Sequence, residues 1–140
     1  MESCLHILLA EDNLADVQLL RDVLTQAGVP HTLDIVSDGE EALRLAEMAG
    51  TSGERNCPDL FVLDLHLPKI DGPEVLKRFR ANVHCAGTPV IVLSSFLSPE
   101  DRAAVEGYTG VTYFAKPSTI DELASISRFI DGLLKGLARN

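Results

Sequence analysis

The sequence lacks the features of a membrane, secreted or nucleic-acid-binding protein. No stretch approaches the roughly 20 consecutive apolar residues that cross a bilayer, and the N-terminus, MESCLHILLAED, turns acidic where a signal peptide would have its cleavage site. Basic residues are scarce: 12 Lys and Arg residues stand against 21 Asp and Glu residues, and the net charge of -9 repels phosphate backbones and anionic lipids. We therefore expect a cytoplasmic protein that binds neither nucleic acid nor membranes.

The sequence also has little cysteine, no internal repeat and no low-complexity tract. Cys4, Cys57 and Cys85 are widely spaced and odd in number, without a CxxC pair, so we expect neither a disulfide framework nor a zinc site. A chain of 140 residues, 46% of them hydrophobic, matches one ordinary domain with one core. We expect a single domain over residues 1–140, with no output domain after the last helix.

What is present is an alternation of strand and helix patterns. Short segments rich in β-branched and aliphatic residues predict strands over residues 5–10, 32–37, 60–65, 89–95 and 111–116. Helical spacing of apolar residues predicts helices over residues 14–28, 38–48, 73–79, 98–105 and 123–137. Such alternation predicts parallel strands joined by right-handed crossovers, and the apolar runs predict strands covered on both faces. The expected fold is a doubly wound α/β sheet.

The first helix has the clearest apolar face. Leu14, Val17, Leu20 and Leu24 fall on the same side of a helix, and Gly28 is a typical residue for its C-terminal end. We therefore expect these four aliphatic side chains to share one face of the first helix.

Polar residues follow the predicted strands at the point where each strand ends. Glu11 and Asp12 follow strand one, Asp64 ends strand three, Ser94 ends strand four and Lys116 ends strand five. Ligands of open parallel sheets bind outside these carboxyl ends. If strands one, three and four are neighbours, their three carboxylates would raise one another's pKa unless a cation lies among them. Oxygen ligands alone favour Mg²⁺ or Mn²⁺ over zinc.

The same residues suit phosphoryl transfer. A carboxylate can accept a phosphoryl group as an acyl phosphate when a metal ion and a second cation neutralise the charge of that group. Asp64 is the candidate nucleophile, with Lys116 as the second cation and Ser94 as a hydroxyl donor to a phosphoryl oxygen. Glu11 and Asp12 would then hold the metal ion.

Structural alternatives stay open for several of these residues. Glu11 and Asp12 could simply stabilise the N-terminus of the first helix, and Lys116 and Ser94 could be ordinary residues at strand ends. Asp64 is harder to explain in this way, because an ionised carboxylate after an apolar run needs a partner or a metal ion.

Four motifs, ILLAEDN, PDLFVLDLHLPKIDG, TPVIVLSS and YFAKPS, agree in order and spacing with those of one family. The sequence resembles the receiver domain of two-component response regulators over essentially its whole length. The resemblance implies a flavodoxin-like sheet of five strands in the order 2-1-3-4-5. It also implies that Asp64 is the phosphoacceptor, and that Mg²⁺ or Mn²⁺ binds Glu11, Asp12, Asp64 and the main-chain carbonyl of His66.

The resemblance also implies how a signal would pass through the protein. Ser94 would be the switch hydroxyl, Tyr113 the switch aromatic and Lys116 the cation beside the phosphoryl group, and the Lys116–Pro117 peptide would be cis. The implied phosphodonor is a sensor histidine kinase. The implied output surface is the face of helix four, strand five and helix five, which would bind a downstream protein target or a second copy of the chain.

More narrowly, AEDNLADVQLL, DLHLPKIDG and VLSSF are similar to small stand-alone regulators that pair with bacterial phytochrome kinases. Position 66 is usually Asn in that group, so His66 is a departure from the pattern. We expect His66 and the bulky Phe96 to affect how long the phosphoryl group stays on Asp64. The residues themselves favour a solvated loop position for the His66 ring over coordination of a metal ion.

Two other functions fit parts of the pattern. A small phosphohydrolase with an aspartate nucleophile would have a second acid two residues after that nucleophile, where this chain has His66. A degenerate receiver that acts only as a protein-binding module would lack site residues, whereas every expected residue is present. We therefore expect a phosphoaccepting signalling protein rather than an enzyme.

Overall fold

The computed structural model describes residues 4–49 and 57–139. Within these residues, strands and helices alternate along the chain. In order, the elements are β1 (Leu5–Ala10), α1 (Leu14–Gln26), β2 (His31–Val36), α2 (Gly39–Met48), β3 (Leu60–Asp64), α3 (Gly72–Ala81), the 3₁₀ turn η1 (Val83–Cys85), β4 (Val90–Ser94), α4 (Pro99–Glu106), β5 (Val111–Ala115) and α5 (Ile120–Ala138).

The strands form one parallel sheet in the order β2-β1-β3-β4-β5, which confirms the predicted doubly wound fold. Helices α2, α3 and α4 cover one face, where the Phe61 and Phe79 rings pack edge to face with centroids 4.8 Å apart. Helices α1 and α5 cover the other face, around Ile7, Leu24 and Ile130. No helix in the described ranges is both long and apolar enough to cross a membrane.

Each helix begins at a side chain that caps its first turn. The capping residues are Asn13, Asp38, Asp71, Ser98 and Thr119, and each side-chain oxygen accepts a hydrogen bond from a backbone N–H of the turn. All five caps lie two to seven residues after a strand ends. The segments that follow the strands are therefore anchored at both ends, which holds their polar side chains in place.

Two expectations about packing are wrong. Leu14, the first residue of α1, is 84% exposed and does not share the buried face of Val17, Leu20 and Leu24. The sheet is covered on both faces only at its centre: β2 is an edge strand whose residues alternate between half-buried and exposed until the buried Val36. Apolar periodicity identifies a helix face or a strand, but the position of an element in the sheet decides how much of it is covered.

The structure also overturns the expectation that the cysteines form no disulfide. Cys57 and Cys85 are disulfide-bonded, with Cα atoms 5.5 Å apart, whereas Cys4 is free and exposed. Cys57 precedes β3, and Cys85 ends η1 before β4. Because β3 and β4 are neighbouring parallel strands, the segments that enter them meet at the same edge of the sheet. Spacing along the chain gives no sign of this proximity.

We expect removal of this disulfide to lower the free energy of unfolding by about 3 kcal/mol, because the bond closes a loop with a sequence separation of 28 residues and so restricts the unfolded chain. Urea unfolding of Cys85→Ser, and of the native chain with and without a reducing agent, measures the loss. Cys4→Ser is the matched control and should unfold as the native chain does. Identical midpoints in oxidising and reducing buffer would contradict the expectation.

Candidate functional site

The carboxyl ends of β1, β3, β4 and β5 bring the predicted site residues together. The Glu11 and Asp64 side chains are almost completely buried, at 2% and 4% exposure, whereas Asp12 is exposed. One carboxylate oxygen from each of these three residues lies within 4.8 Å of the others. The main-chain N–H of Lys116 donates to the Ser94 carbonyl at 2.8 Å, which places the ends of β4 and β5 side by side.

The ammonium group of Lys116 lies among three carboxylates. Its Nζ atom is 2.9 Å from Glu11 Oε1, 2.8 Å from Asp16 Oδ2 and 3.3 Å from Asp64 Oδ2. Asp16 was not predicted as a site residue, although it is the acidic residue in the first turn of α1. Acids are common there for helix stability alone, so only the packing of α1 against the end of β5 identifies Asp16 as a partner of Lys116.

The charges of this cluster perturb one another. Burial raises the pKa of Glu11 to about 7; the hydrogen bond from Lys116 opposes the rise, and the negative charge of Asp64 adds to it. Burial lowers the pKa of Lys116, but hydrogen bonds to Asp16 and Glu11 outweigh this effect, so the pKa lies above its ordinary value. Lys116 therefore stays charged, and Glu11 exchanges a proton near neutral pH.

These residues fit a magnesium or manganese ion. Glu11, Asp12 and Asp64 offer only oxygen ligands, and together with Asp16 they carry more negative charge than the single ammonium of Lys116 neutralises. The main-chain N–H of His66 donates to Asp64 Oδ1 at 3.1 Å, which places residue 66 beside the same carboxylate. Coordination through the His66 carbonyl stays a prediction.

The raised pKa of Glu11 predicts pH-dependent magnesium binding. Below pH 7 a proton occupies Glu11 and competes with the cation, so the apparent affinity for Mg²⁺ should rise about tenfold from pH 6 to pH 8. Isothermal titration calorimetry at the two pH values measures the change. Glu11→Gln removes the titrating group, and we expect it to bind Mg²⁺ more weakly but with a flat pH profile. Equal affinities of the native chain at both pH values would contradict this expectation.

The predicted switch residues lie on the α4 side of the site. Ser94 is fully buried, and its hydroxyl donates to the Phe96 carbonyl at 2.8 Å rather than to Asp64. The half-buried Tyr113 ring lies beneath the Arg102 guanidinium, 5.3 Å from its centroid. The hydroxyl of Ser94 is therefore engaged within its own loop, and Tyr113 is packed next to α4.

One geometric implication of the resemblance is wrong. No peptide bond between described residues is cis, so the Lys116–Pro117 bond is trans. The trans form is the intrinsically preferred one even before proline. With a trans bond, Lys116 still reaches Glu11 and Asp64 across the site.

The His66 side chain lies in an exposed loop, and its ring also has two partners near α4. Its side chain is 52% exposed, but Nε2 lies 3.2 Å from the Phe96 carbonyl oxygen and 3.3 Å from Asp101 Oδ2. These partners are more than 29 residues away along the chain, in the loop before α4 and in its first turn, so no local pattern indicates the contact.

Comparison with known proteins agrees with this geometry. Residues 7–128 match the response regulator receiver domain family. The response regulator Rcp1 of Synechocystis sp. is 33% identical over 125 residues, which cover 89% of this chain and 85% of Rcp1. A crystal structure of the Mn²⁺-bound form of Rcp1 superposes with a TM-score of 0.78 at 30% identity, covering 96% of this chain and 94% of that one.

Two further solved structures are informative. The phosphorylated cyanobacterial phytochrome response regulator RcpA has a TM-score of 0.78 and 32% identity, with coverage of 94% of this chain and 91% of that one. The receiver domain of a Pseudomonas aeruginosa sensor histidine kinase, with a magnesium ion in its active site cleft, has a TM-score of 0.72 and 26% identity, with coverage of 95% and 99%. The family match over most of the sequence and the identity to Rcp1 agree with the four motifs and the sheet order, and the chain belongs to the response regulator receiver family.

Proposed function

We propose that this chain is a stand-alone response regulator that accepts a phosphoryl group on Asp64 from a sensor histidine kinase in the cytoplasm. The observation that carries the proposal is the environment of Asp64. Asp64 is 4% exposed, and its carboxylate lies 3.3 Å from the Lys116 ammonium. One of its oxygens lies within 4.8 Å of a carboxylate oxygen of Glu11 and of Asp12. A buried carboxylate between a fixed cation and further oxygen ligands is suited to carry a phosphoryl group.

In the proposed reaction, a carboxylate oxygen of Asp64 attacks the phosphorus atom of a phosphohistidine. The new O–P bond forms as the P–N bond breaks, and the imidazole of the kinase leaves with the electron pair of that bond. A divalent cation at Glu11, Asp12 and Asp64 would supply positive charge to the phosphoryl oxygens, as Mg²⁺ or Mn²⁺ bound in related receivers suggests. Lys116, whose ammonium lies 3.3 Å from Asp64 Oδ2, would neutralise the remaining charge.

The output follows from the charge that phosphorylation adds. An acyl phosphate brings about -1.5 to -2 charges and three acceptor oxygens to the site, and these can draw the Ser94 hydroxyl away from the Phe96 carbonyl. Tyr113 would then move relative to α4. We infer that the face of α4, β5 and α5 changes in this way and binds a downstream protein target or a second copy of the chain.

The similarity to RcpA, a phytochrome response regulator, supports a kinase of the phytochrome type as the phosphodonor.

A phosphohydrolase is not favoured, because the residue two positions after Asp64 is His66, whose ring contacts Phe96 and Asp101 and is not an additional carboxylic acid. A degenerate receiver is not favoured either, since Glu11, Asp12, Asp64, Ser94 and Lys116 are all present.

A turnover assay separates a phosphoacceptor from a phosphohydrolase. With magnesium and labelled acetyl phosphate, we expect labelling to saturate near about one phosphoryl group per chain, because the acyl phosphate on Asp64 is the product. Small phosphoesters should release no phosphate above the background rate. Steady release from a phosphoester at roughly 1 s⁻¹ or faster would identify an enzyme instead.

A further inference from the structure

The contacts of His66 link the phosphoacceptor to the first turn of α4. The main-chain N–H of His66 donates to Asp64 Oδ1 at 3.1 Å, and the Nε2 atom of its ring lies 3.3 Å from Asp101 Oδ2. One residue therefore touches the carboxylate of Asp64 with its backbone and α4 with its side chain.

The chemistry of its neighbours fixes which ring nitrogen of His66 carries a hydrogen. Both partners of Nε2, the Phe96 carbonyl and the Asp101 carboxylate, are acceptors only. Nε2 must therefore carry a hydrogen and donate it to the Phe96 carbonyl, with the Asp101 carboxylate 3.3 Å away. The imidazole is thus held by the loop before α4 and lies in contact with the first turn of α4.

Asp101 is itself a structural part of α4. The main-chain N–H of Ser98 donates to Asp101 Oδ2 at 3.4 Å, and the main-chain N–H of Asp101 donates to the Ser98 hydroxyl at 3.0 Å. This reciprocal capping box sets where α4 begins and how its first turn is oriented. The oxygen that accepts from Ser98 also lies next to His66, so a displacement of His66 acts directly on the cap.

The apolar packing that holds α4 to the rest of the fold is small. Of the residues of α4, only Val105 is buried, so little apolar packing resists a movement of this helix. The loop before α4 is held at Phe96, whose carbonyl accepts from both Ser94 and His66. If Ser94 turns to a phosphoryl group, the donor that remains on this carbonyl within the described structure is His66.

We propose that His66 is a positioning residue that couples the phosphorylation state of Asp64 to the first turn of α4 through Asp101. This inference rests on the proposed function. Phosphorylation changes the charge and the oxygens that the His66 N–H contacts, residue 66 moves with them, and its ring carries the movement to the capping box. This connection runs beside the one through Ser94 and Tyr113 and does not depend on it.

The test uses beryllofluoride as a mimic of the phosphoryl group, at saturating magnesium, on the full chain. Coupling between two sites is reciprocal, so if the contact with α4 favours the phosphorylated arrangement, its loss also weakens binding at Asp64. We expect His66→Leu to weaken beryllofluoride binding about 3- to 10-fold, and to reduce the chemical-shift change of the Ser98 and Asp101 amides by at least about half. His66→Gln can place a nitrogen donor near the position of Nε2 and should restore both.

A double-mutant cycle shows whether His66 acts through Asp101. If it does, Asp101→Ala should weaken beryllofluoride binding by a similar factor, and the double variant should be no weaker than either single one. If the losses of beryllofluoride affinity in the two single variants add in the double variant, this inference is wrong. It is also wrong if His66→Leu binds beryllofluoride as tightly as the native chain does. Either result would leave the proposed function intact. A native chain that does not bind beryllofluoride would overturn the proposed function as well. His84→Leu, an exposed histidine in η1, is the matched control and should respond as the native chain does.

Discussion

Asp64→Asn is expected to abolish phosphorylation by a phosphorylated histidine kinase, with the rate of labelling falling at least about a thousandfold. The amide keeps the size of the side chain but removes the charged oxygen that would attack phosphorus. Lys116 keeps its contacts with Glu11 and Asp16, so the surrounding ion pairs do not depend on Asp64 alone. The loss should therefore reflect the missing nucleophile and not an unfolded site.

Phosphotransfer from radiolabelled kinase, followed on a gel, measures this effect. Asp34→Asn is the matched control, because it makes the same chemical change at an exposed residue of β2, away from the cluster. It should label like the native chain. A labelled band of undiminished intensity from Asp64→Asn would contradict the assignment of the phosphoacceptor.

Lys116→Met should lower the free energy of unfolding by about 4 kcal/mol at pH 8, because removing one partner of a buried charge cluster leaves the others uncompensated. Lys116 is 15% exposed and is the cation that contacts Glu11, Asp16 and Asp64 together. The cost should be smaller at pH 6, since Glu11, with its pKa raised by burial to about 7, takes up a proton and loses its charge. Magnesium should recover part of the loss by replacing the missing positive charge.

Urea unfolding with and without magnesium at the two pH values measures this effect. Lys135→Met is the matched control, since its ion pair with Asp131 is exposed on α5, and its removal should cost no more than about 0.5 kcal/mol. If the two variants unfold at the same urea concentration, or if magnesium stabilises them equally, Lys116 does not compensate the buried carboxylates.

Local patterns in the sequence were enough to predict the elements of the fold. Apolar runs located β1, β3 and β4 to within about one residue, because strands buried on both faces consist almost entirely of apolar residues. The order of the strands came from the family resemblance. The exposure of β2 depends on its place at the edge of the finished sheet, and that of Leu14 on its place at the first residue of α1, so apolar patterns alone could not predict either.

The site was predicted as far as parallel topology brings strand ends together. Glu11, Asp12 and Asp64 form the expected cluster with Lys116 beside it, and their roles in phosphoryl transfer stay predictions. Asp16 was missed because an acid in the first turn of a helix already has a local explanation.

Two other contacts escaped prediction for a related reason. The disulfide between Cys57 and Cys85 joins segments that meet only because their strands are neighbours. The contact of His66 with Asp101 joins the loop after β3 to the first turn of α4, which meet only in the folded chain. Sequence patterns describe one element at a time, whereas these pairs are fixed by the packing of several elements.

The most direct test of the central claim is to locate the phosphoryl group on the chain. After incubation with acetyl phosphate and magnesium, reduction with borohydride converts an aspartyl phosphate into homoserine, which peptide mass spectrometry can place at one position. We predict homoserine at position 64 in the native chain and at no other aspartate. Reduction at another residue, or unmodified Asp64 under conditions in which the chain has bound phosphate, would contradict the account.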